Sequence, residues 1–366
     1  MKKNLIKILL PVTLSLFMLN ACKKNDVLPP TPGPVALAPA VGEYVLSEGG
    51  FGNNNTKLSY HDKAANTTVG DFFLQQNPTL IPAGLGDTGN DMIIYGSKIY
   101  VVVNNSSVVM VLNANNAIFI KKILFQNGTA PKGPRYAAAA RGKVFVTSSD
   151  NTVSVIDTTS LTIVNSIAVG ANPEGIAASA NYLYVANSGG YNLIPDSTVS
   201  LIDLNTLTEI RKIKVGVNPN KIEINAAGNV YVSAYGNFTN IPASVSVING
   251  STNATGINLG SGFNYSHIRI FGDIAYLYNN YGGTGTAKVY NTATNTIVRN
   301  EFITDGSPVT AAYGINVDEQ NGDVYIANAP SYTASGSVIC FTSGGVKKFS
   351  FSVAPGINPN KVLFRR

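Results

Sequence analysis

A unit of four short apolar segments recurs along most of this chain, and a recurrence of that length leaves few folds open. The clearest copies are "NPEGIAASANYLYVAN…STVSLIDLNTLTEIRKIKVG" and "NPNKIEINAAGNVYVSA…ASVSVIN". Each runs from an Asn-Pro turn through a short apolar strand to a strand like "LYVAN". A loop follows, then a strand like "STVSVID", a turn, and a last apolar strand. An aromatic residue in the second strand marks the register: Tyr100, Phe145, Tyr184, Tyr231, Tyr276 and Tyr325. Successive markers lie between 39 residues apart (Phe145 to Tyr184) and 49 apart (Tyr276 to Tyr325). In "TVSVID", Val153 and Val155 face one side and Ser154 and Ile156 the other, the two-residue alternation of a strand. Four-stranded units at this period cannot bury their apolar faces alone, and they stack as the blades of a β-propeller.

Six copies align on this pattern, the two quoted most clearly and the other four more weakly. Residues 42–62, "GEYVLSEGGFGNNNTKLSYHD", supply only the second and third strands of a seventh, with Tyr44 as its marker. The missing Asn-Pro strand stands at the other end of the chain, in "INPNKVLF". The expectation is an all-β, seven-bladed β-propeller over residues 42–366. Its last blade is closed by N- and C-terminal strands, with residues 357–364 innermost. Closure of this kind removes the unpaired edges of an open ring.

Composition agrees with a turn-rich β protein: 35 Gly, 18 Tyr, no Trp, and only 13% charged residues. The formal charge is +6, but Lys2, Lys3 and Lys7 fall in the apolar leader and no basic run follows, which argues against nucleic acid as a partner. Cys22 and Cys340 stand too far apart in sequence to suggest a disulfide framework. Residues 1–21 read as a signal peptide, since the apolar run is short and its start is basic. Leu19-Asn20-Ala21-Cys22 resembles the bacterial lipobox, which implies cleavage before Cys22 and lipidation of its thiol. Residues 22–41 are a Pro-rich tether. "CKKND" is similar to the export signals of surface lipoproteins. The expected location is therefore the outer membrane, exposed at the cell surface and held by the lipid anchor alone.

The "YVAN…STVSVID" pattern resembles the YncE-like, YVTN-repeat propellers over essentially everything from Gly42 onward. "VLSEGGFGNNNTKLSYHD" with "LGDTGNDMIIYGSKIYVVVNNS" is also similar to the opening of Bacteroidetes surface propeller lipoproteins. Some of those capture cobalamin on outer-membrane TonB-dependent transporters, so the resemblance implies a small-molecule ligand and a transporter partner.

Catalytic signatures are missing. There is no Gly-x-Ser-x-Gly elbow, Walker loop or His-Glu-x-x-His. Two histidines and two cysteines make a zinc site improbable, and no metal or cofactor is expected. His61, in "SYHD", reads as a solvated turn residue, and His267 as a residue facing the central channel. Asp157 and Asp203 read as turn caps, and Cys340 as a small buried strand residue.

Candidate binding residues come from topology. Loops entering the inner strands carry Arg135, Tyr136, Glu174, Asn220, Lys221, Tyr265, His267, Tyr313 and Asn360. Loops leaving the second strands carry Asn187, Tyr191, Tyr235, Phe238, Asn279, Tyr281, Asn328 and Tyr332. Both sets belong to one mouth of the channel, where tyrosines and amides suit a large polar ligand. Tyr191, Tyr235, Phe238, Tyr281 and Tyr332 are expected to form a contact rim, with Arg135, Lys221 and Asn360 deeper as polar anchors. The reading is a non-enzymatic binding lipoprotein that captures a nutrient or cofactor, cobalamin foremost. The alternatives are a protein-interaction or adhesion propeller, or an enzyme such as a lactonase or lyase.

Overall fold

The computed structural model describes residues 38–80, 84–190, 192–254, 257–279 and 287–366. The leader, Cys22, most of the tether, Tyr191 and Tyr281 lie outside the described residues.

Seven antiparallel four-stranded sheets form the blades. Blade 1 is the composite one. Gly42–Ser47, Lys57–Asp62 and Thr67–Val69 come from the start of the propeller, and Pro359–Arg365 pairs with Gly42–Ser47 as the innermost strand. The inner strands of blades 2 to 7 are Gly89–Tyr95, Pro134–Ala140, Pro173–Ala178, Pro219–Ile224, His267–Phe271 and Ala312–Val317. The seven-bladed fold and its closure by both chain ends are thus as the repeat predicts.

The marker aromatics explain the register. Tyr44, Tyr100, Phe145, Tyr184, Tyr231, Tyr276 and Tyr325 are each no more than 3% exposed. Their cross-strand partners are Leu363, Ile93, Ala138, Ala177, Glu223, Arg269 and Asn316, one equivalent inner-strand position per blade. Apolar faces of neighbouring blades interlock around these rings. Tyr231 and Val245 of blade 5 share one core with Ile268, Ile270 and Leu277 of blade 6. At the closure, Val45 and Val362 of blade 1 pack with Tyr325, Val338, Cys340 and Phe351 of blade 7.

The Asn-Pro turns have a specific geometry. Asn172, Asn218 and Asn358 adopt left-handed φ of 44°, 60° and 53°, and a proline opens the strand that follows each of them. Asn tolerates that backbone better than other side-chain-bearing residues, and Pro at a strand's first position gives up no ladder bond. Just beyond, the register shifts in six of the seven inner strands, the exception being blade 6. A bulge re-aims the residue it holds. Here it holds Asn90, Arg135 with Tyr136, Glu174 with Gly175, Asn220, Tyr313 and Asn360.

One departure concerns His61. It is not a solvated turn residue but lies within Lys57–Asp62, 3% exposed. Its ring stacks 4.1 Å from that of Phe351, and Nδ1 is 3.0 Å from Thr68 Oγ1. The outer strand of blade 7 continues past the closure and covers it. A five-residue helix, Phe72–Gln76, joins blades 1 and 2, where Phe72 and Phe73 fill the space beside Tyr44 and Tyr60.

Candidate functional site at the channel mouth

All seven inner strands contribute to a cavity of about 500 Å³ in the central channel. Its upper wall includes the bulge residues Asn90, Arg135, Tyr313 and Asn360, and most of the bulge residues stitch one blade to the next. Asn360 Nδ2 donates to the carbonyls of Gly89 (2.8 Å) and Asn90 (3.2 Å). Asn90 Nδ2 donates to Arg135 O at 2.5 Å. Arg135 clamps Glu174 through Nε and Nη2 at 2.9–3.1 Å. Asn220 Nδ2 reaches the Ser266 carbonyl at 3.3 Å. Tyr313 Oη donates to Glu48 Oε2 at 2.5 Å, which returns the belt from blade 7 to blade 1.

The next ring inward holds Lys361, Asp91, Tyr136, Gly175, Lys221, His267 and Gly314, one from each blade. The two glycines are there because the following blade comes too close. A Cβ on Gly175 would strike the Asn220 carbonyl, and one on Gly314 the Asn360 carbonyl. The gap at Gly175 lets Lys221 reach from blade 5 to blade 3, where its Nζ lies 3.7 Å from the centre of the Tyr136 ring. Within this ring Lys361 pairs with Asp91 at 3.1 Å, and deeper still Arg269 pairs with Glu223 at 3.2 Å.

Burial shapes the charges. It lowers the Lys221 pKa to about 8, although Asp91 and Glu174 act in the other direction. It also holds His267 well below the ordinary imidazole range, with Lys221 adding to the effect, so this ring is neutral. His267 Nδ1 meets Ser266 Oγ at 3.0 Å, and its ring lies between those of Tyr235 (5.6 Å) and Tyr278 (5.2 Å). Burial pushes the Glu48 carboxyl upward, with the Tyr313 hydrogen bond working against that rise. For Arg135, burial opposes the charge, but Glu174 prevails and keeps the guanidinium protonated above its ordinary range.

Of the sequence candidates, Arg135, Tyr136, Lys221, Tyr235, His267, Tyr313 and Asn360 line this cavity, and Glu174 joins it through Arg135. Phe238 and Tyr332 are outside it on the rim, 73% and 53% exposed. Tyr265 packs at the flank of blade 6 with Phe263. Asn187 does not reach the cavity. It is fully buried, accepts from Gly170 N–H (3.0 Å), and donates to Thr198 Oγ1 and Ser200 Oγ. Asn279 and Asn328 accept backbone N–H bonds from the equivalent turns, at Ser266 and at Thr310 and Ala311. These three asparagines fasten the end of the second strand to the turn before the inner one. The sequence reading missed Glu48, Asp91, Tyr278, Glu223, Arg269, Asn316 and Lys361, all of which line the cavity. Glu223, Arg269 and Asn316 stand opposite marker aromatics, so alignment of the repeats carried a signal for them.

Asp157 and Asp203 cap turns as expected, each Oδ1 accepting two backbone N–H bonds. Cys340 is buried, and burial pushes its thiol up to about 12. Among the described residues, no group of three His, Cys, Asp or Glu is arranged to hold a metal ion.

Fold and cavity define this protein as a seven-bladed β-propeller with a polar, aromatic-walled pocket in its central channel. No family model and no curated protein matches the chain in sequence. Many solved structures resemble its fold, three of them as follows. A quinonprotein alcohol dehydrogenase-like protein from Bacteroides thetaiotaomicron is 14% identical, with a TM-score of 0.61, covering 89% of this chain and 79% of that one. Kuenenia stuttgartiensis hydrazine synthase is 18% identical, with a TM-score of 0.52, covering 67% and 73%. The computationally designed Ika8 protein is 12% identical, with a TM-score of 0.54, covering 88% and 91%. At such identities the likeness concerns the fold alone.

Proposed function

We propose that this protein is a non-enzymatic capture lipoprotein of the bacterial outer membrane. It holds a small polar ligand at the channel mouth for a TonB-dependent transporter. The observation that carries the reading is the cavity itself: a concave site of about 500 Å³, lined by all seven blades, with tyrosines and ionic groups converging on it. The anchoring geometry supports it. The chain joins the propeller at Val41 and Gly42, beside Arg365, whereas the same strand ends at the mouth, next to Glu48. The described chain therefore enters the propeller on the face opposite the cavity.

The resemblance of the first two blades to Bacteroidetes surface propeller lipoproteins, some of which capture cobalamin, makes cobalamin the first ligand to test. A molecule of that size would seat one edge in the cavity and lie across the rim. Isothermal titration and thermal shift with cobalamin and with small polar nutrients test the reading. A ligand that binds should raise the melting temperature by mass action, and Tyr136→Ala with Tyr235→Ala should abolish the rise. If no ligand binds, or if the double variant binds normally, the cavity is not the capture site.

One observation favours protein interaction through the same face. Phe51, Leu193, Ile194, Phe238 and Ile241 are exposed apolar residues on the mouth-side loops of blades 1, 4 and 5. Exposed apolar residues gathered on one face mark an interaction surface. The two readings are compatible if that partner is the transporter.

A further inference from the structure

The charges on the cavity wall bear on which ligand it takes. Four basic side chains line it: Arg135, Lys221, Arg269 and Lys361. Three are neutralised, by Glu174 at 2.9 Å, Glu223 at 3.2 Å and Asp91 at 3.1 Å. Lys221 is different: among the described residues no carboxylate oxygen lies within 4.0 Å of it. Its ammonium rests on the face of Tyr136, and its neighbour His267 is neutral. The remaining acid, Glu48, has its carboxyl pushed toward the neutral form by burial, and Tyr313 already occupies one of its oxygens. Among the described residues, three further polar atoms in this wall have no partner, Arg269 Nε, Asn316 Nδ2 and Asn360 Oδ1, and Asn316 is only 5% exposed. Buried polar groups left without partners in a native cavity mark a place for a ligand or ordered water.

Resting on the capture reading, we propose that the cavity recognises an anionic ligand with a flat ring, its carboxylate or phosphate meeting Lys221 Nζ and its ring lying against Tyr136 and Tyr235. An ammonium without a direct ion-pair partner gains a charge-assisted hydrogen bond that a neutral ligand cannot offer. The aromatic wall continues from the rim inward as Phe238, Tyr235, His267 and Tyr278, with successive ring centres 5.2–5.6 Å apart. Such a wall offers flat contact area beside the charge.

The test is titration calorimetry on the folded protein with benzoate, phenyl phosphate and neutral benzamide. At least one anion should bind about tenfold or more tightly than benzamide, and the two anions tell carboxylate from phosphate recognition. Lys221→Met should erase the preference and Lys221→Arg should keep it. In the parent protein the preference should fade as pH rises through about 8, and in the Arg variant it should not. That pH comparison decides the matter should Lys221→Met fail to fold. Equal binding of benzamide, failure of both anions, or a preference that survives in the Met variant overturns the proposal. A neutral nutrient whose binding is lost in Tyr235→Ala would sink this inference and leave the capture reading standing. If no ligand of any charge raised the melting temperature, both would fall.

Discussion

Single residues at the mouth divide into those that hold the ring together and those left for a ligand. Asn187 belongs to the first kind. Asn187→Ala would leave Gly170 N–H buried without a partner, a cost of about 1–3 kcal/mol in unfolding free energy. Ligand affinity should not change, because its side chain never enters the cavity. Denaturant titration and calorimetry on one variant check both halves. Lys221 belongs to the second kind. Its folded pKa is lowered by burial, so between about 8 and its ordinary 10.5 the unfolded chain binds more protons and stability rises with pH. Below that window the fold bears the full cost of the buried charge. Lys221→Met should therefore raise the melting temperature near neutral pH, by a margin that shrinks toward about pH 10. A margin that stays constant with pH would mean the ammonium is not the cause. A residue that weakens the fold where it faces a cavity is the usual signature of a binding group.

At the scale of the strand, the bulge near the start of six of the seven inner strands decides what the mouth looks like. It turns Arg135, Glu174, Asn220, Tyr313 and Asn360 toward the adjacent blade, where they make the belt of inter-blade hydrogen bonds. The tight fit between inner strands is what requires Gly175. Gly175→Ala would press a methyl group into the Asn220 backbone carbonyl, which cannot swing away as a side chain can. We expect it to destabilise the protein by about 1–3 kcal/mol. It should also push Lys221 off the Tyr136 ring. A variant as stable as the parent, judged by urea unfolding, would show that blades 4 and 5 can separate at no cost.

At the scale of the whole molecule, the ring depends on one joint between blades 7 and 1. Removing residues 357–366 deletes the innermost strand of blade 1, including the buried Val362, and uncovers the edge of Gly42–Ser47. Aggregation or a large drop in melting temperature is expected. A truncated protein that melts with the parent would contradict the closure. The same joint buries Glu43, which accepts a hydrogen bond from Tyr325 Oη at 2.9 Å and leaves Oε2 without a partner. Burial raises its pKa, while Tyr325 and Lys63 lower it less. For an acid whose folded pKa is raised, the stabilising contribution is complete below the unfolded value of about 4.5 and is lost as pH climbs through the folded one. Glu43→Gln should thus melt higher than the parent at neutral pH and about level with it in mild acid. The opposite order would show that the Lys63 ion pair, at 3.4 Å, outweighs desolvation.

Much of this architecture was legible in the sequence because it is periodic. The marker aromatics, the "STVSVID" strands and the Asn-Pro turns repeat, so each copy corroborates the others. The half-copies at the two ends could be joined on paper before any coordinates. Register and alternation are local properties, and they determined the blades, the closure, and which loops share a face. What meets across the channel is not local. Lys221 reaches Tyr136 past Gly175 in the blade between them, where a side chain would strike the Asn220 carbonyl. Glu48 enters the site from a loop that reads as an ordinary turn, and Tyr313 finds it only once blades 7 and 1 are adjacent. His61 shows the converse, since a residue at an apparent strand end is buried by a strand from the far end of the chain. The sequence by itself determined a closed ring of seven sheets. Which cations in that ring are neutralised, and that Lys221 is not, depends on distances between separate blades, and only the tertiary structure decides those.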